Sequence, residues 1–284
     1  MKNIRLGTLF FLLSCAVPFA GAGAQGISLS QQETRWIGEM VFKNECAFKE
    51  RCLVQWNEGE DFISLGIGHF IWYPKGRRGP FKDSFPCFID YAKGAGQEVP
   101  GWLDTKPFPP CPWHSRKDFL NNQEDPRLSE LRGFLMATKP LQAAFIVKRL
   151  EEALPLIVNN FPEEDREKIT LRFNRVATTP SGVYALADYV NFKGLGVAAS
   201  ERYKNKGWGL SQVLREMKDE EEAPDALKEF VRAADKVLTE RVANAPKRRN
   251  EQRWLPGWRN RISTYLNKQE PVSYETSLSE GKII

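Results

Sequence analysis

Histidine is nearly absent from this chain: His69 and His114 are the two among 284 residues. With no CxxC pair and no histidine at ligand spacing, a zinc site is disfavoured and no metal is expected. Phosphate-cradling sequences are missing as well, since neither G-x-G-x-x-G nor a Walker sequence occurs, and no cofactor is expected. A serine triad lacks its G-x-S-x-G elbow, and His114, in the proline-rich "CPWHSR", is poorly placed as its base. Strong charge of one sign is lacking too, with 41 basic against 36 acidic residues. The mild surplus, much of it in "KRRNEQR" at 247–253, matches no nucleic-acid module and suits either a solvated face or contact with an anionic polymer.

No segment reaches the roughly 18 uninterrupted apolar residues that a membrane span requires, so stable membrane insertion is not expected. The first 24 residues have another explanation. Lys2 and Arg5 precede "LGTLFFLLSCAVPF" and the small-residue run "AGAGA", the order of a secretory signal cleaved near Ala24. "LLSC" offers a less favoured alternative, a lipoprotein signal acylated at Cys15. Either way the mature chain is exported, periplasmic or secreted. Loss of Lys2 and Arg5 lowers the net charge from +5 to +3.

Cys46, Cys52, Cys87 and Cys111 remain after cleavage, an even count that in an oxidising compartment predicts two disulfides. Proximity in sequence favours Cys46 with Cys52 and Cys87 with Cys111.

The rest of the chain patterns as mostly helical. Ser30 and Glu33 form an S-x-x-E box before Trp36, Ile37, Met40 and Val41, which predicts a first helix over 31–44. Leu53–Trp56 and Phe62–Phe70 flank the polar turn Asn57–Asp61 and predict a β-hairpin. Residues 74–114 are dense in proline and glycine, a loop-rich insertion with room for a short helix near Ser84–Lys93. Helical periodicity then runs from about 116 to 267, and 268–284 has few apolar anchors and the character of a loose tail. The fold class is therefore α+β, one domain over 25–267, mostly helical with a small antiparallel hairpin sheet.

Glu45 follows Ile37 and Val41 at four-residue spacing, so it emerges on or near the buried face of the first helix. Desolvation there raises a carboxyl pKa, as protonation of a glycosidic oxygen requires. "NEGED" then supplies Glu58 and Glu60, which share strand parity with Ser64. Glycosidases work with two such carboxyl groups flanking the bond.

In this order the residues resemble the phage-type lysozymes: a catalytic Glu ending the first helix, a hairpin carboxylate, then a hydroxyl residue leading into G-x-G-H, here "Ser64-Leu65-Gly66-Ile67-Gly68-His69". The stretch 45–69 carries the likeness, with a longer spacing, Glu for Asp and Ser for Thr. It implies a lysozyme-like fold hydrolysing β-1,4 bonds of peptidoglycan as a monomer. Glu45 would be the acid, Glu58 or Glu60 the second carboxylate, and Ser64 a holder of water.

His69 is expected at the substrate side as a structural residue paired with a carboxylate or backbone group. Tyr189 and Asn191 of "ALADYVNFKGLG" resemble residues that line saccharide clefts, and "GWRNRISTYL" resembles the family's basic C-terminal helix. Trp56, Trp72, Tyr73, Trp102 and Trp113 are candidate sugar-stacking surfaces. Two other readings stay open. "Glu45-Cys46-Ala47-Phe48" is similar to the E-S-x-F motif of lytic transglycosylases, which use one carboxyl group; and a non-catalytic wall-binding protein would keep the fold without turnover.

Overall fold

Helix α1 (Gln31–Cys46) starts from a reciprocal cap: the Ser30 hydroxyl accepts the Glu33 N–H at 3.2 Å while the Glu33 carboxylate accepts the Ser30 N–H at 2.7 Å. It stops where Ala47 and Phe48 take left-handed backbone (φ 47° and 60°) and the Cys46–Cys52 disulfide folds the chain back. The computed structural model describes residues 26–79, 81–220 and 225–267. The expected signal segment 1–24, with Cys15, and the tail 268–284 lie outside the described residues.

A three-stranded antiparallel sheet follows: β1 (Val54–Gln55), β2 (Ile63–Leu65) and β3 (Phe70–Trp72), with Val54 opposite Leu65 and Leu65 opposite Phe70. The run 62–70, expected as one strand, is thus two strands and a tight turn. Gly66 (φ 67°) and His69 (φ 47°) turn the chain through the left-handed region, and Gln142 fixes the turn from below. The Gln142 side chain accepts the Ile67 N–H at 2.9 Å and donates to Leu135 O at 2.6 Å. A Cβ on Gly66 would lie 2.2 Å from Gln142 Oε1, and one on Gly68 would lie 2.4 Å from the Phe70 ring. These glycines therefore make room for protein neighbours, Gln142 at Gly66 and the Phe70 ring at Gly68.

The sheet packs on helices by one face only. Ile63, Leu65, Phe70 and Trp72 join the main core, while Phe62, Ile71 and Tyr73 cluster with Phe81 on the other side. The proline-rich stretch contributes α2 (Phe85–Gly94) and the buried Phe85, Phe88, Leu103 and Trp113. Trp56, Trp72 and Trp113 are core residues at 5%, 0% and 1% exposure, so they offer no open stacking surface. Cys111 donates its N–H to Tyr73 O at 3.0 Å and extends the sheet through a bridge to Pro74. That pairing turns its thiol into the core, where it is free, and the expected Cys87–Cys111 bridge does not form.

The helices are α3 (Arg116–Asn121), α4 (Pro126–Ala137), α5 (Lys139–Val158), α6 (Glu163–Val176), α7 (Pro180–Lys193), α8 (Leu210–Glu216), α9 (Ala226–Asn244) and α10 (Leu255–Ser263); β4 (Arg202–Tyr203) and β5 (Lys206–Gly207) form a small hairpin. The architecture is α+β, mostly helical. α1 lies along α5 and α7, and every residue of Ser181–Val190 is buried, the signature of a central helix. Among the described residues no helix is long and apolar enough to cross a membrane.

Gly66→Ala places a β-carbon on Gln142 at positive φ, and should destabilise the fold by about 2 kcal/mol or more in chemical denaturation. Alkylation of the denatured, unreduced protein should label Cys111 and spare Cys46 and Cys52. In the native state Cys111 should resist labelling, because burial pushes its thiol up to about 12.

Candidate active site

Glu45 occupies the last turn of α1, one and two turns beyond the fully buried Val41 and Ile37, and its side chain is 7% exposed. A carboxylate so placed needs a partner, and Arg261 of α10 supplies it through Nη2 on Glu45 Oε1. The same guanidinium is gripped from behind by Asp188 of α7, which accepts from Nε at 2.8 Å and from Nη2 at 2.9 Å. Tyr265, one turn past Arg261, donates its hydroxyl to Asp188 at 2.7 Å, and Phe192 stacks under the guanidinium at 4.5 Å. Around this centre Asn44 donates to Tyr184 and Thr264.

His69 completes the cluster from the sheet side, its Nδ1 3.7 Å from Glu45 Oε2. Beside it lies a cavity of about 20 Å³ lined by His69, Ser84, Arg149 and Asn191, room for a single water. Asn191 Nδ2 is buried and has no hydrogen-bond partner among the described residues.

Burial by itself raises the Glu45 pKa, as expected from the helix pattern. The charges of Arg261 and His69 and the Arg261 hydrogen bond outweigh it, so the net shift is downward and the resting carboxyl is ionised. Arg261 moves well above its ordinary value: desolvation opposes its charge, but Asp188 and Glu45 more than compensate.

The other sequence candidates fall into distinct places. Glu58 is exposed on the hairpin turn, and Glu60 accepts from Asn57 Nδ2 at 3.1 Å; neither bonds to the Glu45 cluster. Burial raises the Glu60 pKa against that hydrogen bond. Ser64 is 2% exposed with no partner for its hydroxyl among the described residues, so it sits inside the sheet and not at an open cleft edge. Trp56 donates Nε1–H to Glu60 O at 2.8 Å and packs on Phe119, a wall residue with no free ring face. Tyr189 is fully buried and donates to Trp208 O at 2.9 Å; it belongs to the core, because its α7 position faces α9 and Phe230. Asn191, two residues on, reaches the His69 cavity.

Arg261, Asp188 and Tyr265 escaped the sequence reading although both of their stretches had been singled out. The available signal was Asp188 itself: a carboxylate inside the apolar run "VYALADYV" demands a cation from elsewhere. Among the described residues no three of His, Cys, Asp and Glu gather as a metal site would need. No family model, curated protein or solved structure matches this chain.

Because the folded Glu45 pKa lies below its ordinary 4.5, ionisation of this group contributes stability that is fully present above that value and lost as pH falls through the lower folded one. Wild-type stability should therefore fall more steeply than that of Glu45→Gln between neutral and strongly acidic pH, with the divergence confined below about 4.5, as read by urea denaturation across pH.

Proposed function

We propose that this protein is an exported, lysozyme-like hydrolase that cleaves β-1,4 glycosidic bonds of peptidoglycan glycan strands, with Glu45 as the general acid. The supporting observation is a nearly buried carboxylate on the final turn of the first helix, facing the histidine of the G-x-G-H turn and gripped by a doubly paired arginine.

The resting ion pair sets a condition on the chemistry. Glu45 must take up a proton before it can donate one, and the arrangement of Arg261 makes this accessible: when Glu45 is neutral, Asp188 still neutralises the guanidinium with two hydrogen bonds. A sugar seated against Glu45 also displaces water and weakens the carboxylate–guanidinium contact by separating the two groups, which raises the Glu45 pKa toward that of a useful acid. Protonation of the leaving oxygen then accompanies C1–O cleavage. The hairpin turn supplies the second carboxylate, Glu58 or Glu60, to stabilise the oxocarbenium-like state or activate the water that attacks C1.

One observation favours lytic transglycosylation as the second reading. Of the candidate carboxylates only Glu45 belongs to the buried cluster, Glu58 standing exposed on the turn and Glu60 tied to Asn57, and a mechanism with one carboxyl group needs no second. The two chemistries leave different ends on the glycan.

Glu45→Gln should fold and lose wall-degrading activity by at least about a hundredfold, the scale of a general-acid contribution. Mass spectrometry of purified peptidoglycan digests should show reducing ends, and Glu58→Gln or Glu60→Gln should lower turnover. Anhydro ends with both turn variants active would establish transglycosylation instead, while sacculus binding without released fragments would leave a wall-binding protein.

A further inference from the structure

Lys193, the last residue of α7, is the one buried lysine among the described residues, at 4% exposure. An ammonium withdrawn from water without a counter-ion is costly, and this one has none at hand. Its Nζ makes no hydrogen bond and has no carboxylate in ion-pair range among the described residues; it rests instead on two half-buried rings, 3.4 Å from the centroid of Trp258 and 3.9 Å from that of Phe192. The amine is nevertheless open to solvent, since it is not one of the unpartnered buried atoms closed to water.

The neighbouring charges have the same sign. Arg261 stacks on Phe192 at 4.5 Å and Arg241 of α9 faces Trp258 at 5.0 Å, so each guanidinium shares a ring with the amine. Both have spent Nε and Nη2 on carboxylates, Arg261 on Asp188 and Glu45, Arg241 on Glu251, while their Nη1 groups donate to nothing among the described residues. Burial and these two positive charges hold the Lys193 amine well below the ordinary lysine value, against the weaker pull of Glu251. A third cation is disfavoured here, and an anion is missing.

We propose that Lys193 is a carboxylation site: Nζ takes up carbon dioxide as a carbamate, and the charges of Arg241 and Arg261 hold the anion so formed. The amine lone pair makes the N–C bond, one C–O π pair moves onto oxygen, and the nitrogen releases one proton to water, with nothing oxidised or reduced. Carbon dioxide suits the site because it is small, linear and uncharged, and enters a narrow opening at which a hydrated carboxylate would lose its water shell. The modification replaces a disfavoured cation by an anion beside two guanidiniums, and the aromatic walls limit the protonation by which a carbamate loses carbon dioxide. The inference does not depend on glycan cleavage.

Carbon NMR of the full chain, equilibrated with isotope-labelled bicarbonate at mildly alkaline pH, tests it. Wild type should show a carbamate resonance, distinct from those of bicarbonate and dissolved carbon dioxide, that is lost in Lys193→Gln and in Lys193→Arg. Alkylation with triethyloxonium before peptide mapping should place an ethoxycarbonyl group on Lys193 of wild type, which decides the matter should the variants fail to fold by their melting curves. Absence of the resonance at saturating bicarbonate, its undiminished persistence in folded variants, or trapping on exposed lysines or the N-terminus but not on Lys193 would overturn the proposal.

Discussion

One guanidinium organises the centre of this protein. Arg261 bridges two carboxylates that arrive from different parts of the chain, Glu45 at the end of α1 and Asp188 in the middle of α7, both nearly or wholly withdrawn from water. Each acid alone would be a severe desolvation problem at its position, and together they would repel; with the cation between them the set becomes tolerable. The C-terminal segment, whose α10 packs on α9, is tied to α7 by this contact, since Asp188 draws in both Arg261 and Tyr265 from successive turns. The ionisation state of Glu45, and with it any acid chemistry, is set by how this pair is held or released.

The other fixed point is the turn between β2 and β3. Gln142 satisfies Ile67 and Leu135 at once and so joins the sheet to α5 and the preceding helix end. With that turn held by Gln142, His69, in left-handed backbone at its end, approaches Glu45 at Oε2 while Arg261 takes Oε1. The candidate site is thus held between the sheet turn and the C-terminal helix, with α1 carrying the acid into the gap.

The proline-rich stretch, loop-rich as its composition predicts, is also part of the core. Its aromatic residues complete the hydrophobic core against Trp72, Phe70 and Phe145, and its backbone extends β3 through Cys111. This explains why tryptophans that invite a carbohydrate-binding reading are mostly internal: in a domain with so short a sheet, large side chains from a loop fill the volume that additional strands would otherwise occupy.

Local signals decided much of the architecture before any tertiary contact. The Ser30–Glu33 box, the apolar spacing through Val41 and the polar turn at 57–61 specify the first helix, the burial of Glu45 and the hairpin, because capping, periodicity and turn chemistry act over a few residues. Strand direction within "SLGIGHFIWYP" was beyond such signals: the reversal at Gly66–His69 depends on Gln142, some 75 residues away. The same holds for the direction of the Glu45 pKa shift, the solitary Cys111 thiol, and the interior places of Tyr189 and Ser64. Burial could be inferred from sequence spacing, but the sign of the net charge effect required knowing that Arg261, 216 residues downstream, lies on the carboxylate. Electrostatic partners are chosen by three-dimensional packing, and only the tertiary structure decided them.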